Sequence, residues 1–238
     1  MTFLEEMIDL AVVGSPNEVC GLVVAKGDEC RLIQAKNLSA RPTDTFELDP
    51  DAWLEVTDDE KVIGIYHSHP RGTALPSMAD LTSCEASELP WHIVNGEGNY
   101  TVTQPTGFLA PYLERPYVHG VHDCFTVCKD WYEREWCLTL PNVSRKDQWW
   151  TQGENLYLDH FEDFGFVRLF DQEPEIGDAY LMQVGSRVPN HAAVYLGDGN
   201  ILHHVQGRLS TIDPYGGYWA KHTTHHIRHE SRMVKTNG

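Results

Sequence analysis

In the stretch IYHSHPRGTALPSMAD, His67 and His69 stand one residue apart at the end of an apolar run and are followed by Asp80. On a strand, residues i and i+2 project to the same face, so the two imidazoles can meet one ion. Asp80 returns to that place if it lies in the first turn of the next helix. Two imidazoles and one carboxylate are the ligand set of a hydrolytic zinc centre that keeps its fourth position for water. Such an ion brings the pKa of a bound water to about 7, and a base must then carry the proton. Glu18, in SPNEVCGLV, is the candidate base, and Ser77 the candidate hydrogen-bond donor to a developing oxyanion. The same residues have a plainer use: Ser77 with Asp80, and Ser15 with Glu18, both have the spacing of a helix capping box. Cap and ligand are compatible roles.

A second set lies downstream. RPYVHGVHDCFTVCKDWY puts Cys124 in the first turn of an expected helix, where unpaired N–H groups and the helix dipole favour thiolate. NHAAVYLGDGNILHH supplies His191 at the start of one strand and His203 across a tight hairpin. Their even separation on antiparallel partners allows both onto one sheet face, as nucleophile, base and orienting group require. Cys128, one helical turn beyond Cys124, reads as a core residue. His222, His225, His226 and His229 read as a solvated or partly buried polar surface rather than a second metal site. Trp131, Tyr132, Trp136, Trp149 and Trp150 read as core packing, with part of the group lining a groove.

The elements that must position these residues follow from patterning. Residues 3 to 13 form an amphipathic helix, VCGLVVA and CRLIQAKNL a pair of strands about the turn Lys26-Gly27-Asp28, and KVIGIYH a central strand. Ser77 opens a helix to about Leu89, and HIVN and NYTVTQ add strands. The proline- and glycine-rich PTGFLAPYLERPYVHG marks a boundary near residue 110. Beyond it, CFTVCKDWYEREW and NLYLDHFEDFGF have helical spacing, and AYLMQV, HAAVYLG and NILHHV read as strands, an α+β arrangement.

Composition bounds the function. A chain of 238 residues with 41% hydrophobic residues and seven tryptophans has enough apolar surface for two folded domains. A net charge of −17 excludes a phosphate-binding groove for nucleic acid and disfavours anionic membrane surfaces. No run approaches the roughly 20 apolar residues of a membrane span. Acidic residues in MTFLEEMIDL stand where a signal peptide carries basic ones, so synthesis without export is expected. Six cysteines without a CxxC pair fit a reducing compartment.

Glu18 in its E-V-C-G-L context, His67-Ser68-His69-Pro70, Ser77 and Asp80 together resemble the JAMM (MPN, Mov34-type) metallopeptidases over residues 1 to about 104. The resemblance implies a mixed α/β domain, Zn2+ held by His67, His69 and Asp80, and proton transfer by Glu18 during peptide or isopeptide cleavage. Asp123-Cys124 at a helix start, Gly177-Asp178, H-x-x-x-Y-L-G-D-G with a second histidine, and PYVHG resemble the NlpC/P60 cysteine peptidases. That implies a papain-like α+β domain in which Cys124 attacks, His191 is the base, His203 orients it and Tyr117 helps to hold the oxyanion. The chain departs from the usual D-C-S-G at Phe125-Thr126, and the loop between the tyrosine motif and Cys124 is shorter. A JAMM-like domain (1–109) followed by an NlpC/P60-like domain (110–238) is similar to the tail tip assembly protein K family of long-tailed, non-contractile bacteriophages. The family implies tail tip proteins as partners and a place in the host cytoplasm during assembly and at the virion tail tip, and the NlpC/P60 resemblance implies peptidoglycan peptides as substrate. A non-catalytic assembly factor using both folds as docking surfaces is the alternative.

Overall fold

A computed structural model describes residues 3–233. The chain divides into two compact units, the first ending at Ala110 and the second beginning at Pro111. Among the described residues no helix is long and apolar enough to cross a membrane.

The first unit runs α1 (Phe3–Gly14), β1 (Cys20–Lys26), β2 (Glu29–Ala35), a 3-10 turn (Pro50–Glu55), β3 (Lys61–His69), α2 (Met78–Ser87), β4 (Trp91–Asn95) and β5 (Tyr100–Thr103). The sheet order is β2-β1-β3-β4-β5. Strand β3 is central, antiparallel to β1 and parallel to β4, and both its faces are covered, which is why its sequence is nearly continuously apolar. Alternation sorts those faces. Tyr66 packs with Met7 and Ala11 of α1. Ile65 packs with Leu22, Trp91, Ala52 of the 3-10 turn and Cys84 of α2. His67 follows Ile65 by two residues and therefore emerges on the α2 side, at the end of the strand.

The second unit runs α3 (Cys124–Trp136), a 3-10 turn (Trp149–Thr151), α4 (Leu156–His160), β6 (Phe166–Leu169), β7 (Ala179–Met182), β8 (His191–Gly197), β9 (Asn200–His203), β10 (Thr211–Pro214), α5 (Gly217–His222), β11 (Thr223–His229) and a last 3-10 turn (Glu230–Arg232). Its sheet order is β10-β9-β8-β7-β11-β6. One side of α3 buries Val127, Cys128, Trp131 and Tyr132 against Ala192 and Val194 of β8 and their neighbours, so the helix carrying Cys124 lies on the middle of the sheet.

The expected helix over NLYLDHFEDFGF is shorter than its pattern suggests, ending at His160. Gly165 takes φ +78° with His229 close over its backbone, and the chain turns there so that Phe166 starts β6 and enters the core. Gly177-Asp178 also has a structural purpose. Gly177 (φ +86°) lies against the Trp136 ring, where a Cβ would collide with it. Buried Asp178 accepts hydrogen bonds from Arg228 Nε (2.6 Å), His226 Nε2 (2.6 Å) and the Glu175 amide (2.9 Å), tying β7 to β11. The late histidines have separate partners: His222 donates to the Tyr218 carbonyl, His225 meets Thr224 and His229 meets Ser231. His229 is buried and His226 is held on buried Asp178, so this end of the cluster is part of the interior rather than a solvated surface.

Candidate metal and thiol sites

At the end of β3, His67 Nε2 lies 3.0 Å from His69 Nε2, and Asp80 places one oxygen 3.3 Å from each. His67 is fully buried, its ring stacked on Phe46 and edge-on to Trp91. The Thr73 carbonyl accepts from His69 Nδ1 at 2.9 Å, which fixes that tautomer and leaves the Nε2 lone pair directed at the site. Asp80 reaches the same point from the first turn of α2. Its Oδ2 accepts from the Ser77 amide (2.6 Å), and Ser77 Oγ accepts from the Asp80 amide (3.1 Å). The third ligand is thus also one half of the capping box.

Three acceptor groups facing one another at this separation need a shared proton or a cation between them. Among the described residues this is the one group of three histidine, cysteine or acidic side chains able to hold an ion, and the donor set fits zinc. The electrostatics agree. Burial would raise the Asp80 carboxyl, but hydrogen bonds with both imidazoles outweigh it and hold the group far below the usual carboxylate range. Burial pushes His67 down, whereas Asp80 and the Thr73 carbonyl raise His69 despite its own desolvation. Glu18 is buried just before β1 rather than at a helix start, so its capping reading does not hold. Burial, reinforced by Asp80 and Asp44 and opposed by His69, pushes Glu18 up to about 7.

In the second unit, Cys124 is the first residue of α3, capped by Asp123. Buried Asp123 accepts from the amides of Gly120, Phe125 and Thr126 and from the Arg145 guanidinium at 2.6 Å. The expectation that free helix N–H groups favour thiolate is overturned here. The cap takes those N–H groups, its negative charge adjoins the sulfur, and burial, the largest effect, raises the Cys124 thiol. Tyr157 Oη lies 3.2 Å from Sγ, and the Asn190 carbonyl 4.0 Å away. The Ala192 amide also acts on the sulfur, so the residues on either side of His191 both reach Cys124.

The His191 ring turns to His203: its Nε2 is 3.0 Å from His203 Nδ1, and His203 Nε2 is 3.2 Å from Asp213 Oδ2. The hairpin explains the pairing. His203 is opposite Ala193, two residues from His191, so both imidazoles share a face as the even spacing predicts. Trp219 of α5 stacks on His191 (5.6 Å between centroids) and meets His203 edge-on (4.5 Å). Burial, with the charges of His203 and His204, pushes His191 down to about 3. Both shifts favour the neutral forms of the pair, and Sγ has its short contact with the Tyr157 hydroxyl.

Tyr117 shares with Cys124 a cavity walled by Phe125, Trp149, Trp150, Tyr157, Phe161 and Phe164, its ring edge against His204. Trp149 and Trp150 thus line the cavity, while Trp131 and Tyr132 are core. Sequence reasoning missed Tyr157, Asp213 and Trp219. Only Asp213 left a usable signal: it follows by two the residue paired with His203, and so alternates onto that face. One consequence is measurable. At neutral pH the exposed Cys30 and Cys137 should be carbamidomethylated before Cys124, whose rate should climb as alkaline pH ionises its raised thiol. Peptide mapping by mass spectrometry checks this, and labelling of Cys124 first would mean a resting thiolate.

Residues 2–106 match the family model for prokaryotic homologs of the JAB domain, and residues 114–228 that of the NlpC/P60 family. The chain is 39% identical over 218 residues to tail tip assembly protein K of Escherichia phage N15, a match spanning 90% of this chain and 89% of that protein. It is 35% identical over 185 residues to tail tip assembly protein K of Escherichia phage lambda, spanning 77% and 90%. The chain is also 34% identical over 100 residues to a desampylase of Pyrococcus furiosus, spanning 38% of this chain and 69% of that one. With both units matched in order and the likeness running along most of its length, the chain belongs to the tail tip assembly protein K family, its first unit a JAB/MPN-like domain and its second an NlpC/P60 domain.

Proposed function

We propose that this tail tip assembly protein carries two peptidase sites, a thiol site that hydrolyses peptide bonds of peptidoglycan and a zinc-dependent site that cuts a peptide or isopeptide bond. The observation that carries the reading is the hydrogen-bond line from His191 through His203 to Asp213, with Cys124 against the neighbouring Asn190 carbonyl, beside an intact His67, His69 and Asp80 cluster.

At the thiol site the Cys124 proton passes to His191, sulfur attacks the scissile carbonyl carbon, and the amine departs with the proton that His191 returns. Water then hydrolyses the thioester. His203 keeps the His191 ring in place, and Tyr117 is assigned to the oxyanion. The Tyr157 hydroxyl has to give up Sγ before attack. At the first site, a bound zinc ion supplies Lewis acidity and an acidified water. Glu18, whose carboxyl burial pushes up, takes a proton from the nucleophile and returns it to the leaving amine. Ser77 Oγ accepts from the Asp80 amide and so retains its hydroxyl hydrogen for an oxyanion. Tail tip proteins are the partners in this reading. Assembly takes place in the host cytoplasm, and wall cleavage at the virion tail tip.

The covered, neutral thiol favours a second reading, in which the domain docks without cutting. The two separate when zinc-loaded protein is incubated with Gram-negative peptidoglycan sacculi and released peptides are identified by mass spectrometry, with Glu18→Gln in parallel. Release by both proteins supports a wall-cutting thiol domain independent of the zinc site. No release from folded protein favours docking.

A further inference from the structure

We propose that Asp213 is a positioning residue that decides which nitrogen carries the hydrogen on both imidazoles of the thiol site. The inference rests on the assignment of His191 as base under the proposed function, and adds a residue that neither the motif nor the family match singles out.

A carboxylate oxygen offers only lone pairs, so the 3.2 Å contact between Asp213 Oδ2 and His203 Nε2 puts the hydrogen on Nε2. A neutral imidazole with its hydrogen on Nε2 has a bare Nδ1. His203 Nδ1 is the atom 3.0 Å from His191 Nε2, so His191 must be the donor there. Its own hydrogen is then also on Nε2, and its Nδ1 keeps the lone pair that can take the thiol proton. When that proton arrives, His191 becomes an imidazolium that still donates from Nε2, and no hydrogen along the line has to move.

The surroundings hold this order. His203 is fully buried and His191 nearly so, and Trp219 packs against both rings, so neither can turn over freely. Asp213 is on β10, the strand at the edge of the sheet, with its side chain 24% exposed and the Arg208 guanidinium 3.9 Å from the same oxygen. A side chain kept there only for packing could be an asparagine of the same shape. An asparagine amide, however, can present either an oxygen or an N–H to His203, and the second option reverses every hydrogen bond in the line and blocks His191 Nδ1. In a Ser-His-Asp triad the equivalent exchange costs about 10⁴ in turnover through the wrong tautomer. Here it acts through one more ring and from a partly solvated position, so a smaller effect of roughly tenfold is expected.

The test uses the full chain with 15N-labelled histidine and needs no substrate. In the wild type, two-bond 1H–15N correlations should show both His203 and His191 protonated on Nε2. Asp213→Asn should move part of both populations to Nδ1 and slow carbamidomethylation of Cys124 about tenfold relative to Cys30, and Asp213→Glu should restore both readouts. A wild-type His203 protonated on Nδ1 overturns the proposal without any variant, and so do unchanged tautomers in folded Asp213→Asn. His191→Ala reads the underlying assignment separately: if Cys124 alkylation is as fast without the imidazole, His191 is not the base, and the peptidase reading fails whatever the tautomers show.

Discussion

Cys124→Ala should abolish peptide release from sacculi, a loss of roughly 10⁴-fold or more, as removing the nucleophile of a concerted catalytic group does elsewhere. No other thiol can substitute. Cys128 is buried one turn further into α3, with a thiol raised well above its ordinary range, and Cys137 caps the far end of the same helix. The fold should tolerate the change, because the sulfur contributes only a hydrogen bond with Tyr157, a contact with the Ala192 amide and a long contact to the Asn190 carbonyl. Quantified released peptides, with a thermal melt to confirm folding, give the comparison. Release that persists in Cys124→Ala, at a rate near wild type, would remove the thiol from the mechanism.

The second large effect is on metal content. Protein purified with zinc should hold about one ion per chain, and His67→Ala and Asp80→Asn should both fall to background by elemental analysis. Chelation should lower the melting temperature of wild type and leave these variants unmoved, since only a chain that binds the ion gains stability from it. Asp80→Ala should be worse than Asp80→Asn. It loses the ligand and also the acceptor of the Ser77 amide, at a further cost of about 1 kcal/mol for the helix cap. Stoichiometric zinc in His67→Ala would place the ligands elsewhere.

The parts of the molecule that could be read in the sequence share a physical origin. Strands β1, β3, β4 and β8 follow strong periodic signals, and HxH, the capping box and the hairpin convert local spacing directly into geometry. Short elements were less legible. Helix α4 has five residues, and β6 and β10 have four each, too few for a period to stand out. Strand β11 carries His225, His226 and Arg228, whose polarity hides a strand that Asp178 and Ile227 anchor from within. Tyr157 reaches Cys124 from 33 positions away on one of those short helices, and nothing local announces the contact. The thiol's surroundings were hidden for a related reason: a helix start predicts free N–H groups, while the burial that raises the thiol and the aspartate that takes up those groups belong to the folded surroundings.

Asp80 has a consequence for how such a chain could drift. A carboxylate that both caps a helix and faces an ion remains under selection after the ion is no longer needed, because replacing it still removes the acceptor of the Ser77 amide at the start of α2. His67 and His69 have no comparable second duty at the helix start. In a descendant that had given up metal, the histidines would be lost first while serine and aspartate persisted as a cap. Of the three side chains, the paired histidines are therefore the ones whose presence in a relative reports a working centre.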